Sequence, residues 1–380
     1  MPGGPQFAET LQRCWDDNDA VLPLDLRLSK PAIARIVEAL RPSVVVDASG
    51  RAASLADGEP VEEGDALVVA TSGTTGEPKG VVLTHAAVEA SARATSARLG
   101  VDPSRDRWLA CLPLAHVGGL SVVTRAMVTG TPVEIQRRFA VEDAEAAARD
   151  RGATLVSLVP AALARLGPER AALFRTIVVG GQQPPADQPS NAVATYGMTE
   201  TGSGVVYDGV ALEGVEVNVR SGEIWLRCPM LLRCYRDGTQ PLTADGWFAT
   251  GDAGDFDQDG RLWINGRLDE LVISGGENIW PAQVEAVLRR HPGVLDVAVG
   301  GHPDPKWGSR LVAYLVPSPA VRGTEPVVIL AALRELVTDH LAPFAAPREL
   351  VVVDRLPRTA IGKVSRADLP TLEGPRALIR

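Results

Sequence analysis

The stretch ATSGTTGEPKGVVLTH, residues 70–85, gathers hydroxyls, glycines and one lysine between two apolar runs. A glycine-rich loop after a buried strand can aim backbone N–H groups at an anion. Here Gly73 and Gly76 supply the backbone freedom, Thr71, Ser72, Thr74 and Thr75 add hydroxyl donors, and Lys79 adds positive charge. Phosphate binding is the chemistry these types suit. The loop is not of the Walker A kind, which needs Gly-x-x-x-x-Gly-Lys-Ser/Thr, because Pro78 precedes Lys79 and Gly80 follows it. Taken alone, the same types also describe a polar turn between two strands.

Three further clusters carry chemistry. ATYGMTETGSG (194–204) follows an apolar run and offers the aromatic face of Tyr196, the hydroxyl of Thr199 and the carboxylate of Glu200. These suit a base to stack on, a phosphate to contact and a magnesium ion to hold. The segment 248–281 contains Asp252, a carboxylate able to accept from two ribose hydroxyls, and Arg267, a fork for phosphate or ribose. Within it, Asp257-Gln258-Asp259-Gly260 reads as an acidic turn. LPRTAIGKVSR (356–366) places Lys363 in a glycine-containing loop, where an isolated lysine is ordinarily a solvated surface charge.

The elements that must position these groups are legible in outline. SVVVD (43–47), ALVVAT (66–71), WLACL (108–112), PVEI (132–135), TLVSLV (154–159) and TIVVGG (176–181) read as buried strands. Between them, residues 30–40, 85–100 and 141–152 read as helices, with Thr84 as an N-cap and Gly100 and Gly152 as stops. Such alternation predicts a mostly parallel sheet covered on both faces. After Gly202 short strands split by turns predict a β-rich unit, and after about Leu268 a small α+β unit begins, with helices over 281–293 and 327–341.

The totals restrict the function classes. A chain of 380 residues predicts two domains, at about 100–200 residues each. A net charge of −9 argues against a nucleic-acid backbone as partner, and 4% aromatics against base-stacking platforms. Cys14, Cys111, Cys228 and Cys234 and the five histidines have no metal or disulfide spacing. The first residues have no basic segment followed by an apolar one, and no apolar run reaches the roughly 18 residues of a membrane span, so a cytoplasmic protein is expected.

Together TSGTTGEPKG, YGMTE, TGD, GRLDE and PRTAIGK resemble, in order over about residues 20–370, the motifs of the adenylate-forming superfamily of acyl- and aryl-CoA synthetases, luciferases and adenylation domains. The resemblance implies an α/β fold: a large N-terminal domain, 1–268, with mostly parallel sheets and a β-rich subdomain, and a small mobile α+β lid, 269–380, hinged at Asp269. It implies ATP, Mg2+ and coenzyme A as the small molecules used. Thr71–Gly76 and Lys79 would hold phosphate; Gly180, Gly181, Tyr196 and Gly197 would border the adenine; Asp252 and Arg267 would meet the ribose; Glu200 would hold the metal. Lys363, Glu200 and Thr199 would be catalytic, and Gly275 and Gly276 would meet the pantetheine arm of coenzyme A.

The resemblance also implies where the acyl pocket lies. CLPLAHVGGLSVVTR (111–125) lies where the family builds it, with His116 at its mouth, Gly181 on its wall and Arg125 nine residues beyond His116. The stretch resembles o-succinylbenzoate–CoA ligases of menaquinone biosynthesis. Their acid has two carboxylates, one to be activated and one to be neutralised, and a guanidinium neutralises a carboxylate bidentately. About 70 residues precede the phosphate loop, roughly half what the superfamily implies, as in the short actinobacterial form of these ligases. Three alternatives stay open: a ligase for another acid, an adenylation enzyme that loads a carrier protein, and a non-catalytic nucleotide-binding relative. A homodimer is likewise left open.

Overall fold

The structure, a computed structural model, describes residues 4–47, 50–72, 78–181, 188–358 and 364–379, without the side chains of Pro5 and Ser72. The chain divides into two units. One comprises Met1–Asn218, Trp225–Ala249 and Phe256–Leu262; the other comprises Val219–Ile224, Thr250–Asp255 and Trp263–Arg380. The strands Glu216–Arg220, Glu223–Arg227, Phe248–Phe256 and Leu262–Arg267 follow one another in a four-stranded sheet.

The first unit is built on a seven-stranded sheet. Its order is Val210–Ala211, Gly204–Tyr207, Ala192–Gly197, Thr176–Val179, Leu155–Leu158, Trp108–Ala110, Val133–Ile135. The last five are parallel, and the first two add to them antiparallel. Every residue of Trp108–Ala110, Leu155–Leu158 and Thr176–Val179 is buried, which is why these runs are apolar without alternation. Parallel neighbours need crossovers, and the helices Val117–Thr129, Val141–Arg151 and Pro160–Leu166 supply them. Glu142 and Asp143 in the first turn of Val141–Arg151, with Arg149 and Arg151 in its last, complement the helix dipole. In the helix His85–Leu99 the Thr84 hydroxyl accepts from the Ala87 N–H at 3.1 Å, and Gly100 ends it in the left-handed region.

Two runs expected in the parallel sheet lie elsewhere. Residues 66–71 form part of the strand Asp65–Ser72, which pairs antiparallel with Pro78–Thr84 in a separate three-stranded sheet completed by Cys234–Tyr235. Only five positions separate the two strands in the chain, too few for a crossover, and the strands pair as a hairpin. Residues 43–47 are not buried. The strand Val44–Val46 pairs with Ala52–Ser54, and Val44 and Val46 are 48% and 38% exposed. Three valines favour a strand by shape alone; nothing in their run says what covers them.

The second unit pairs Val294–Asp304 with Gly308–Pro317 along most of their length, and then extends parallel to Glu349–Val352 and antiparallel to Arg376–Leu378. The helices Pro281–Leu288 and Pro326–His340 bury Val284, Leu288, Leu330 and Leu333 against Val297, Val299, Leu311 and Leu315. The first of these helices stops at Leu288, short of the Pro292–Gly293 breaker, and turns carry the chain on. Among the described residues no helix is long and apolar enough to cross a membrane.

The two-residue strand Cys234–Tyr235 is held by its arginine neighbours. Arg233 donates from Nε and Nη2, each at 2.8 Å, to the two oxygens of Asp65, a carboxylate only 2% exposed. Arg236 donates to the carbonyls of Leu40, Pro60, Arg41 and Glu59. Removing one member of a buried, bidentate pair leaves the other charge uncompensated. Arg233→Ala is therefore expected to lower stability by about 3 kcal/mol, read as a fall in the urea midpoint of the first unit's unfolding.

Candidate active site

The hairpin sets Thr71 directly opposite Lys79, and the Thr71 hydroxyl donates to the Lys79 carbonyl at 3.4 Å. Ser72 ends its strand opposite Pro78. Gly73, Thr74, Thr75 and Gly76, and Lys363 with them, lie outside the described residues.

From the hairpin a connected set of groups runs to the second cluster. The Lys79 ammonium lies 5.4 Å from the centroid of the Tyr235 ring, and the Tyr235 hydroxyl donates to Glu200 Oε1 at 3.0 Å. Glu200 sits in the 3-10 turn Thr199–Thr201, just after the strand Ala192–Gly197 that carries Tyr196. The turn is locked from within: the Thr201 hydroxyl donates to the Ser203 carbonyl at 2.7 Å and accepts from the Met198 N–H at 3.0 Å. The Glu200 carbonyl also accepts from the Leu232 N–H at 2.8 Å. Gly197 is required here, since a Cβ would lie 2.2 Å from the Ser203 carbonyl oxygen. Gly180 and Gly181 leave the carboxyl end of Thr176–Val179, beside the end of Ala192–Gly197. A Cβ on Gly180 would meet the Thr195 hydroxyl at 2.7 Å. The carboxyl ends of parallel strands are where α/β sheets receive ligands.

Arg125 is not a solvated helix charge. It lies on Val117–Thr129, is 1% exposed, and stacks its guanidinium 4.8 Å from the Trp108 ring centroid. Its Nη2 donates to the Ser203 hydroxyl at 3.1 Å, while Nε and Nη1 have no hydrogen-bond partner. No carboxylate among the described residues pairs with it, and burial pulls its pKa below the ordinary arginine value. A guanidinium nonetheless keeps its proton at any working pH. Beside it is a cavity of about 10 Å³, room for about one water, bordered by Leu67, Ser91, Thr124 and Met230 among others.

His116 stands at the N-terminus of the Arg125 helix, with Nε2 3.2 Å from Asp25 Oδ2. Asp25 is buried, and Arg27 donates to it from Nε at 2.9 Å; this contact above all holds the Asp25 carboxyl down at about 2. An ionised carboxylate can only accept, so Nε2 carries the imidazole proton. Asp25 and Tyr235 are the two site neighbours that motif spacing did not reveal. The opposite charges flanking Leu26 and the tyrosine between Arg233 and Arg236 were the only signals available.

The remaining expected residues belong to the second unit. Arg267 Nη1 donates to Asp252 Oδ1 at 3.2 Å and to the Thr250 carbonyl at 3.0 Å, and its Nε donates to Asp269 Oδ1 at 3.3 Å. Three expected site residues are thus joined through one guanidinium. Gly275 and Gly276 form the two-residue turn of the hairpin Val272–Ser274/Glu277–Ile279, with φ of 62° and 86°. A turn with positive φ at both positions itself calls for glycine. Downstream of Lys363, Arg366 donates from Nη1 to Glu285 at 2.6 Å and pairs through Nε with Glu270 at 2.7 Å.

Among the described residues no group of three or more His, Cys, Asp or Glu side chains could hold a metal ion. Glu200 alone, with a hydrogen bond orienting one of its oxygens, fits Mg2+, which takes one or two carboxylates and completes its shell with water and phosphate oxygens.

Comparison with known proteins gives a consistent picture. Residues 56–236 match the family described as AMP-binding enzyme, and residues 283–363 match the AMP-binding enzyme C-terminal domain. The probable 2-succinylbenzoate–CoA ligase of Mycobacterium tuberculosis is 39% identical over 366 residues, covering 89% of this chain and 93% of that protein. The structure of o-succinylbenzoate CoA synthetase (MenE) from Bacillus subtilis in complex with the acyl-adenylate intermediate OSB-AMP is 31% identical, with a TM-score of 0.76 over 97% of this chain and 81% of that one. The same synthetase in complex with ATP and magnesium ion is 29% identical, with a TM-score of 0.74 over 95% and 81%.

The Asp25 contacts have a pH signature. Because its folded pKa lies near 2, below the ordinary 3.8, the stability it contributes is complete above about pH 4 and fades as pH falls towards 2. Asp25→Asn is expected to flatten the loss of stability over that window, as measured by thermal melts between pH 2 and pH 5.

Proposed function

The chain belongs to the AMP-binding enzyme family and is an AMP-forming acid–CoA ligase, and on that premise we propose that its acid is 2-succinylbenzoate. The observation that carries the choice is Arg125, a buried guanidinium with two unmet donors and no carboxylate partner among the described residues. A desolvated cation is costly unless something compensates it. The second carboxylate of a dicarboxylic acid would do so bidentately; a fatty acid would leave it unpaired. The adjoining space must widen beyond one water to admit that group, and the unbranched Met230 side chain is its most deformable wall.

In the first half-reaction a carboxylate oxygen attacks the α-phosphorus of ATP, and the bond to the pyrophosphate oxygen breaks. We assign Thr71, Ser72, Gly73, Thr74, Thr75, Gly76 and Lys79 to the β- and γ-phosphates, Thr199 to the α-phosphate, and Gly180, Gly181, Tyr196 and Gly197 to the adenine. Asp252 accepts from the ribose hydroxyls, and Arg267 holds that carboxylate aimed through its hydrogen bond. Glu200 would hold Mg2+, which when bound would supply counter-charge to the phosphates. Lys363 bridges the attacking carboxylate and the phosphoryl oxygens as negative charge moves between them. His116, with its proton fixed on Nε2, borders the acyl group.

In the second half-reaction the sulfur of coenzyme A attacks the acyl carbon, AMP leaves, and the thiol proton passes to solvent or to a nearby base. Gly275 and Gly276 are assigned to the pantetheine arm. Residues 269–380 are taken as the lid, turning about Asp269 between the two half-reactions. We assign the enzyme to the cytoplasm, the compartment that supplies both ATP and coenzyme A.

The direct test is pyrophosphate release with ATP, Mg2+ and 2-succinylbenzoate, beside benzoate and a medium-chain fatty acid. Selective release with the dicarboxylate, followed by its CoA thioester, is expected; release with another acid alone removes the assignment. Arg125→Leu should lower kcat/KM for 2-succinylbenzoate about a hundredfold while barely altering slow turnover of a monocarboxylate. Lys363→Ala should slow adenylation about a hundredfold or more, yet leave thioester formation from supplied acyl-AMP intact.

A further inference from the structure

We propose that Tyr235 is a positioning residue for adenylation, holding Lys79 and Glu200 apart and aimed through its ring face and its hydroxyl. The inference rests on the reading above in which Lys79 meets the phosphates of ATP and Glu200 meets Mg2+.

Lys79 and Glu200 carry opposite charges and share Tyr235 as a neighbour. No ion pair joins them among the described residues. A direct pair would have to be broken before either could meet a nucleotide. Tyr235 replaces that pair with two weaker attachments of different kinds. The ammonium rests over the ring quadrupole and keeps its three N–H donors for phosphate. The carboxylate accepts one hydrogen bond at Oε1, which fixes its plane.

The tyrosine can act in this way only if it is itself immobile, and its surroundings make it so. Tyr235 pairs with Val81 in the strand that carries Lys79. Its N–H donates to the Thr239 carbonyl at 2.9 Å, and the N–H groups of Arg233 and Arg236 donate to Val82 and Gly80 at 2.9 and 2.7 Å. The side chains of both arginines anchor the same segment to Asp65 and to four backbone carbonyls. Leu232, three residues before Tyr235, donates its N–H to the Glu200 carbonyl. Residues 232–236 therefore hold Glu200 by main chain and side chain at once, and hold the lysine strand by its ladder.

The test measures binding of α,β-methylene-ATP by calorimetry across a Mg2+ titration, on the full chain. Tyr235→Phe keeps the ring and drops the hydroxyl. It is expected to raise the Mg2+ concentration for half-maximal binding about tenfold, with affinity at saturating Mg2+ unchanged. Tyr235→Leu drops the ring too, and is expected to weaken binding several-fold even at saturating Mg2+. A purely structural tyrosine would lower the melting temperature of both variants and leave the Mg2+ requirement where it was, which overturns the inference. Glu200→Gln is the control. If it shifts the Mg2+ requirement and Tyr235→Phe does not, the role of Tyr235 falls alone. If Glu200→Gln leaves the requirement untouched, the metal assignment falls and the role of Tyr235 with it.

Discussion

Opposite charges within reach of one another in a protein tend to cancel, and a site that must meet a polyanion and a cation together has to prevent this. Here the separation is built from the backbone outward. A hairpin carries the lysine, a 3-10 turn after a parallel strand carries the glutamate, and a two-residue strand inserts an aromatic alcohol that touches both. The strand is too short to stand by ladder bonds alone, which accounts for the number of arginine contacts at its ends.

The rest of the first unit treats buried charge differently. Asp65 is met by Arg233 and Asp106 by Arg175, each through two hydrogen bonds, and Asp106 accepts from Thr154 as well. Those carboxylates are buried and their partners partly exposed, so the cation brings solvent contact to the pair. Arg125 inverts the pattern: the cation is the buried member, a tryptophan ring covers it, and the space beside it is nearly filled. Among the described residues, Arg125 is a buried cation that no carboxylate of the chain meets.

What the sequence discloses follows the range of the interaction. Capped helices such as His85–Leu99 and Val141–Arg151 are written in neighbouring residues, as are apolar strands buried on both faces. The nucleotide motifs are equally local, since each packs its reactive types into about ten residues. Long-range facts are not written in this way. The run 66–71 has the composition of a parallel strand and forms a hairpin, and Val44 and Val46 are exposed although their run is as apolar as a buried strand. Tyr235 meets Glu200 across 35 positions and His116 meets Asp25 across 91, separations at which residue type alone names no partner. The burial of Arg125 had a faint signal in the apolar residues around it on its helix, Leu120, Val122, Val123 and Ala126, an unusual setting for a solvated charge.

The turn Gly275–Gly276 bears on what a residue's identity can testify to. At Gly275 a Cβ would lie 2.9 Å from the Trp307 ring, and φ is positive besides, so two independent causes exclude a side chain there. At Gly276 nothing lies within 4 Å of the same position, and only the backbone angle asks for glycine. Adjacent and alike on paper, the two glycines answer to different demands. The first would be needed by any chain that lays a tryptophan under this hairpin, whatever passes over it, and so is silent about ligands. The second faces open space, and asparagine or aspartate, which tolerate the left-handed region, could stand there at modest strain. Variation at that second position, not the first, is where the passage of a long flexible substrate would leave its mark.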